Sequence, residues 1–234
     1  MKIHGYDKLT LLDYPGKVAS TIFCGHCNFR CPFCHNASLV LHADEMPLIS
    51  EEEIFEHLTG RKGVIEGVAI TGGEPTLYRD LPDFIVRLKE KTGVLVKLDT
   101  NGTNPDMLAE LMERGLIDRV AMDIKSSPAG YAAASGLDEI DMDAVFKSVD
   151  LIMKGIVEYE FRTTVVDELH GDREMKAVGK WLTGASAYYL QCYKDSGELI
   201  NPEGLHAPSA EKLEHFRQIL LPFIPNTYIR GVSP

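Results

Sequence analysis

The chain has 234 residues, of which 44% are hydrophobic, so it can bury the core of one large domain or two small ones. Its 24 basic residues against 35 acidic ones give a net charge of −11, which disfavours a nucleic-acid partner. No apolar run approaches the roughly 20 residues that span a bilayer, and the first residues lack signal-peptide order, so we expect a cytoplasmic protein with no membrane partner.

Six short apolar runs rich in β-forming residues predict strands. They cover residues 18–23, 67–71, 94–98, 119–122, 159–166 and 187–193. Helical patterns fill the gaps over residues 51–58, 81–92, 105–114, 142–154 and 172–182, and one more helix is expected over 210–220. We expect N-caps at Ser50, Asp80 and Asn104. Residues 37–49 look irregular, and residues 227–232 favour one more short strand.

This alternation of strands and helices predicts the fold class. Strands that begin 25 to 50 residues apart, with helices between them, form βαβ units and a parallel sheet. Six such units fall short of the eight that close a barrel, so we expect an α/β fold with a partial, open (β/α)6 barrel. No linker or low-complexity tract interrupts the pattern, and residues 1–234 are therefore expected to form a single domain.

Residues 24–36 read CGHCNFRCPFCHN and hold four of the five cysteines, a concentration that points to a metal and a reducing compartment rather than to disulfides. Cys27, Cys31 and Cys34 have the spacing C-x3-C-x2-C, which wraps a loop around a cubic cluster so that three thiolates reach three irons. A [4Fe–4S] cluster normally takes four thiolates. Three leave one iron open for a small molecule, as a catalytic metal keeps an open position.

The stretch CNFRCPFC resembles the signature loop of radical S-adenosylmethionine (SAM) enzymes. The resemblance implies that SAM's amino and carboxylate groups chelate the open iron, and that one electron then breaks a C–S bond to give a 5′-deoxyadenosyl radical. It places Phe33 near the adenine. It also implies that Gly72, Gly73 and Glu74, in the segment GGEP after the second predicted strand, bind the methionyl amino group.

Cys24 leaves a second interpretation open. With it the stretch reads C-x2-C-x3-C-x2-C, two knuckles that could hold zinc through four thiolates. We favour the three-thiolate cluster because the gap between the knuckles is short for a zinc ribbon and because GGEP follows. Cys24 is then a small buried side chain that ends a strand.

Polar motifs follow nearly every predicted strand, at the end where α/β barrels carry their active sites. Asp99 and Asn101 lie in DTNG, Asp123 and Lys125 in DIK, and Arg162 within the fifth predicted strand. We expect the two aspartates to accept hydrogen bonds from ribose hydroxyls or the amino group, and the two cations to pair with SAM's carboxylate. The alternative is that the aspartates are loop caps and the cations only structural ion-pair residues.

One branch of the family is closer than others. The phrase LLDYPGK at residues 11–17, followed by the cysteine loop, resembles the opening of anaerobic ribonucleotide-reductase activating proteins. The resemblance implies a glycyl-radical enzyme as partner, with anaerobic ribonucleotide reductase first among the candidates, and a flavodoxin or ferredoxin as electron donor. The chain is longer than the shortest such activases, so another glycyl-radical enzyme is also open as partner.

Two other functions compete with this one. The first is a radical SAM enzyme that acts on a small molecule, for which no set of substrate-gripping residues stands out. The second is a non-catalytic zinc or iron–sulfur protein. The roles of Cys192, His26 and His35 stay open, since the histidines either tune the cluster through hydrogen bonds to sulfur or are solvated loop residues.

Overall fold

The computed structural model describes residues 1–195 and 197–232, and its eight strands form one sheet whose order follows the chain. The strands are β1 (Ile3–Thr10), β2 (Ala19–Cys24), β3 (Gly67–Gly72), β4 (Leu95–Thr100), β5 (Arg119–Asp123), β6 (Glu158–Val165), β7 (Tyr188–Cys192) and β8 (Thr227–Arg230). β2 to β8 are parallel, and β1 runs antiparallel to β2. Within the described part of the chain the sheet has two edges, β1 and β8, so the barrel is open.

Eight α-helices connect these strands or follow them. They are α1 (Ala37–Leu41), α2 (Glu51–Gly60), α3 (Leu81–Thr92), α4 (Pro105–Glu113), α5 (Tyr131–Ser135), α6 (Met142–Met153), α7 (Asp172–Trp181) and α8 (Ala210–Leu220). Ser50 caps α2 by accepting from the Glu53 N–H at 3.1 Å, and Asn104 caps α4. Asp80 precedes α3 but makes no side-chain cap, because its carboxylate pairs with the amino group of Met1 instead.

The α/β class and the open, parallel architecture confirm the sequence prediction, and each of the six predicted strands is present. The strand count was too low because β1 was not predicted. Its sequence IHGYDKLT is polar and carries a central glycine, so it has no strand pattern of its own; it is held by pairing with β2. The region 37–49, expected to be irregular, contains α1 and a short 3₁₀ turn, and α5 was also missed.

The two faces of the sheet differ in polarity. The outward positions of the central strands are apolar and pack against the inner faces of the helices: Val68, Val96 and Val120 are fully buried, as are Phe84 and Leu88 of α3.

No helix in the described residues is long and apolar enough to cross a membrane.

The inward positions of β4, β5 and β6 carry charged side chains, which are paired within the fold. Glu160, 1% exposed, accepts from Arg119 at 2.8 Å and from Arg230 at 2.9 Å. Lys97, also enclosed, pairs with Asp99. Buried charges are tolerated only when they are paired. The interior of the open barrel is therefore lined by paired charged side chains, and it leads to the carboxyl ends of the strands.

Candidate active site

A cavity of about 250 Å³ opens at the carboxyl ends of the parallel strands. Residues from the loop after β2 and from the ends of β3 to β7 line it, so the curl of the sheet brings together segments that are far apart in sequence. All twelve predicted site residues line this one cavity: Cys27, Cys31, Cys34, Phe33, Gly72, Gly73, Glu74, Asp99, Asn101, Asp123, Lys125 and Arg162.

The three loop thiols share a desolvated environment. Burial raises the pKa of Cys27 to about 12 and also raises the pKa of Cys31 and Cys34. The charge of Lys125 acts in the opposite direction on all three thiols, and the Phe29 N–H donates to Cys27 Sγ at 3.3 Å. A metal must therefore displace protons from these thiols when it binds.

The donor set fits a cluster better than a single ion. No three His, Cys, Asp or Glu side chains among the described residues stand close enough together to hold one metal ion. A cubic cluster offers a different iron to each thiolate, so its ligands stand farther apart than those of one ion. Cys24 is fully buried at the end of β2 and does not line the cavity. The chemistry of the site is thus three thiols facing a shared space, without the fourth that a zinc knuckle needs.

The glycine pair fastens the strand end to the cysteine loop. The Gly73 N–H donates to the Cys24 carbonyl and the Glu74 N–H to the His26 carbonyl, both at 2.8 Å. Gly72 has φ +111°, and a Cβ on it would collide with the backbone of Cys24. A Cβ on Gly73 would collide with the His26 carbonyl. Both glycines thus make room for the backbone of the cysteine loop, and their predicted contact with SAM stays a prediction.

His26 takes part in the same close approach. It has φ 58°, a left-handed conformation that no other described non-glycine residue adopts, and that the paired backbone hydrogen bonds hold in place. Its ring points away from the cavity and lies 3.4 Å from Asp44. His35, by contrast, lines the cavity. Of the two histidines, only His35 is therefore placed to contact a bound group.

The buried Glu74 carboxylate accepts hydrogen bonds from residues at the ends of two neighbouring strands. It is 1% exposed and one oxygen, Oε1, accepts from the Thr76 N–H at 3.1 Å and from the hydroxyls of Thr76 at 2.5 Å and Thr100 at 2.8 Å. Its other oxygen, Oε2, accepts from the Asn101 N–H at 2.7 Å. Burial raises the pKa of Glu74, and these donors oppose that rise. Glu74 thereby ties the end of β3 to the end of β4, and its predicted contact to SAM stays a prediction.

Four charged side chains form a network across the cavity wall. Arg162 donates to Asp99 at 3.1 Å and to Asp123 at 2.9 Å, and Lys125 lies 3.1 Å from Asp123. Enclosure of the site would raise the pKa of Asp123, but Arg162 and Lys125 hold it at about 2. The same pairing keeps the pKa of Asp99 below, and that of Lys125 above, the ordinary range despite the desolvation that acts against each.

The alternative to a SAM-binding role was that the two cations form structural ion pairs, and the structure contains those ion pairs. They do not exclude that role, because each of the four residues also lines the cavity. Asp123, with 36% of its side chain exposed, is the most accessible of them. A ligand with a zwitterionic end would meet both signs of charge at fixed positions.

Asn101 connects the cysteine loop with the end of β4. Its Nδ2 group donates to Asn28 Oδ1 at 2.8 Å and lies 3.9 Å from Cys27 Sγ. Its Oδ1 accepts from the Thr103 N–H at 3.0 Å and the Thr103 hydroxyl at 2.7 Å. The amide is 4% exposed. The structure thus places Asn101 beside a cluster thiol as well as on the cavity wall.

Several cavity residues were not predicted. They include Phe29, Asn36, Thr100, Thr164 and Gln191. Thr164 and Gln191 are register partners on β6 and β7. The alternation of a strand could have identified Thr164, since Arg162 and Thr164 are two positions apart and face the same way. Cys192, next to Gln191, faces away and contacts the carbonyls of Tyr193 and Pro208.

Comparisons with known proteins agree with this geometry. The family model described as the radical SAM superfamily matches residues 21–173. A protein of Methanocaldococcus jannaschii named as a putative glycyl-radical enzyme activating enzyme is 31% identical over 99% of this chain and 96% of its own length. The pyruvate formate-lyase-activating enzyme of Clostridium pasteurianum is 25% identical over 94% of this chain and 98% of its own.

Solved structures show the same fold. The crystal structure of Streptococcus suis SuiB bound to S-adenosylmethionine has a TM-score of 0.69 at 13% identity, over 90% of this chain and 49% of that one. The chain therefore spans about half the length of that protein, and the likeness concerns the fold alone.

Proposed function

The chain belongs to the radical SAM superfamily, and we propose that it generates a glycyl radical on a partner protein. It is an enzyme of the radical SAM activating class, whose members use a [4Fe–4S] cluster and SAM. The observation that carries the proposal is the full-length similarity to the M. jannaschii relative, whose name states that activity. That similarity extends beyond the cysteine loop that the whole superfamily shares.

In this proposal the loop thiols of Cys27, Cys31 and Cys34 hold the cluster, and the charged residues of the same cavity hold SAM. When bound, the cluster would supply the electron that lets SAM act in hydrogen abstraction from the substrate. Support comes from one cavity whose lining contains three thiols, two carboxylates and two cations. Lys125 and Arg162 would pair with SAM's carboxylate, while Asp99 and Asp123 would accept from its hydroxyls or amino group.

The protein's own groups then act by fixing geometry. Glu74 and the glycine pair hold the cysteine loop against β3, so the thiols keep their positions before any ligand binds. The ion network holds its charges in place through direct hydrogen bonds, and preorganised charges need no rearrangement during reaction. Phe33, 4% exposed on the cavity wall, would cover the adenine.

We further propose anaerobic ribonucleotide reductase as the partner and a flavodoxin or ferredoxin as the electron donor. The resemblance of residues 11–17 and of the cysteine loop supports the partner assignment. A cytoplasmic location and a single domain over residues 1–234 belong to the same proposal, as does the expectation of no nucleic-acid or membrane partner. All five cysteines are free in the structure, as a reducing compartment requires.

The test is an electron paramagnetic resonance (EPR) experiment under anaerobic conditions. The reconstituted protein, SAM and a reductant are mixed with anaerobic ribonucleotide reductase, and a glycyl-radical doublet should appear on the reductase. The doublet should collapse when the reductase carries deuterated glycine, and the Cys31→Ala variant should give none. If SAM is cleaved but no glycyl-radical protein of the source organism acquires the doublet, the activase function is wrong.

The same experiment separates the small-molecule alternative. A radical SAM enzyme with a metabolite substrate would cleave SAM faster when that metabolite is added and would not respond to any partner protein. An activase should show the reverse, with SAM cleavage stimulated by its protein partner.

A further inference from the structure

The chain leaves the sheet at the end of β5, and three side chains then hold it in place. The carbonyl groups of residues 123–125 each accept a hydrogen bond from a different element. Tyr131 Oη donates to the first at 3.2 Å, Thr163 Oγ1 to the second at 2.6 Å, and His170 Nε2 lies 2.9 Å from the third. Asp123 is the last residue of β5, and the Ile124 N–H still donates to the Arg162 carbonyl at 2.7 Å. Lys125 lies beyond the strand, so the position of its carbonyl depends on the side chain that binds it.

His170 is itself fixed at its other end. It is 2% exposed, and its Nδ1 lies 3.0 Å from the Val166 nitrogen. Burial lowers the pKa of His170, so its ring is neutral at neutral pH and carries a single proton. With that proton on Nε2, the ring donates to the Lys125 carbonyl and accepts from the Val166 N–H. The other tautomer would donate from Nδ1 to the Val166 carbonyl, which lies 3.1 Å away, but it would leave the Val166 N–H without its acceptor and turn a lone pair toward the Lys125 carbonyl. The structure therefore assigns the proton to Nε2.

We propose that His170 is a positioning residue that sets the place of the Lys125 ammonium in the cavity. The inference rests on the proposed SAM-binding role of Lys125. Lys125 is the last of the three held residues, and its backbone has no strand partner. Its side chain reaches from there to Asp123 on the cavity wall. Fixing the carbonyl fixes the start of the long side chain, so less freedom is lost when the ammonium binds a carboxylate.

Two substitutions distinguish the hydrogen bond made by Nε2 of His170 from the one made by Nδ1. His170→Gln places an amide N–H at about the position of Nε2 and keeps the donor to Lys125. His170→Asn is too short for that but keeps an acceptor for the Val166 N–H. We expect SAM to bind the Asn variant about five- to tenfold more weakly, the value of one hydrogen bond, and to bind the Gln variant within about twofold of the unaltered protein. The measurement is the dissociation constant of SAM for the anaerobically reconstituted protein.

A double-mutant cycle with Lys125→Met tests whether His170 acts through Lys125. If it does, His170→Asn weakens SAM binding in the unaltered chain and has no further effect once Lys125 is Met. Equal weakening in both backgrounds would overturn the inference, because it would mean a general structural effect. Iron content and thermal unfolding of each variant show whether the cluster and the fold are retained.

The possible failures are distinguishable. If Lys125→Met binds SAM as tightly as the unaltered protein, the proposed role of Lys125 is wrong. If Lys125→Met weakens binding but His170→Asn does not, only the inference about His170 fails. Should the Asn variant not fold, the Gln variant decides: a loss of SAM affinity above about fivefold, with iron content and unfolding unchanged, overturns the inference. None of these outcomes depends on which protein accepts the glycyl radical.

Discussion

Replacement of Gly73 by alanine should cost the protein its cluster, not merely its affinity for SAM. A Cβ on Gly73 would lie well under 3.0 Å from the His26 carbonyl oxygen, a separation that real Cβ atoms essentially never show. The obstruction is backbone, so no side-chain rotation relieves it. Either the end of β3 or the cysteine loop must move by more than 1 Å, on the order of a van der Waals overlap.

The size of the effect follows from the contacts at that junction. Movement breaks two backbone hydrogen bonds of 2.8 Å, from Gly73 to Cys24 and from Glu74 to His26. It also displaces the Glu74 carboxylate, which holds the end of β4 through the Asn101 N–H at 2.7 Å. At about 1 kcal/mol for each hydrogen bond, the loss is about 3 kcal/mol. That is a large share of the stability of a typical domain.

The assay is iron and sulfide content after anaerobic reconstitution, read beside the thermal unfolding midpoint. Gly60→Ala is the matched control, since Gly60 ends α2 with nothing within 4 Å of an added Cβ. We expect Gly60→Ala to retain the cluster and Gly73→Ala to lose most of it. A Gly73→Ala protein with full iron content, an unchanged midpoint and only weaker SAM binding would refute the reasoning and would indicate that Gly73 makes room for the ligand instead.

Cys24→Ser should keep full iron content, because Cys24 is fully buried outside the cavity; loss of metal would revive the four-thiolate site. Asp123→Asn should be less stable than the unaltered chain above pH 3.8, and this difference in stability should disappear as the pH falls toward about 2, because folding lowers the pKa of Asp123. The measurement is the unfolding midpoint of each cluster-free protein as a function of pH. A difference that stays constant with pH would contradict the prediction. Glu160→Gln should destabilise the protein by about 3 kcal/mol in denaturant unfolding, since Arg119 and Arg230 lose a buried partner; a change below about 1 kcal/mol would show that the pairing is unimportant.

The parts of the site that could be predicted are those carried by local patterns. Three cysteines within eight residues of sequence, a glycine pair after a strand, and polar motifs at successive strand ends all predict their positions without knowledge of the fold. Once the strands are known to be parallel, their carboxyl ends must meet, and every predicted site residue does line one cavity.

What could not be predicted depends on contacts between distant residues. Glu74 has the pattern of a ligand-binding residue, yet its oxygens are bound by Thr100 and Asn101, 26 and 27 residues away. His170 lies 45 residues from the Lys125 carbonyl it contacts. Nothing local distinguishes such a histidine from a solvated one. β1 was missed for the same reason, because its partner β2 and not its own sequence makes it a strand.

The most direct test of the central claim is electron–nuclear double resonance on the reduced cluster with SAM labelled by ¹⁵N in its amino group. If three thiolates leave one iron open at the end of this cavity, the cluster should show a ¹⁵N coupling that disappears when unlabelled SAM is used. A fully loaded cluster with no such coupling, and with loss of iron on Cys24→Ser, would mean that a fourth cysteine closes the site, and the account would be wrong.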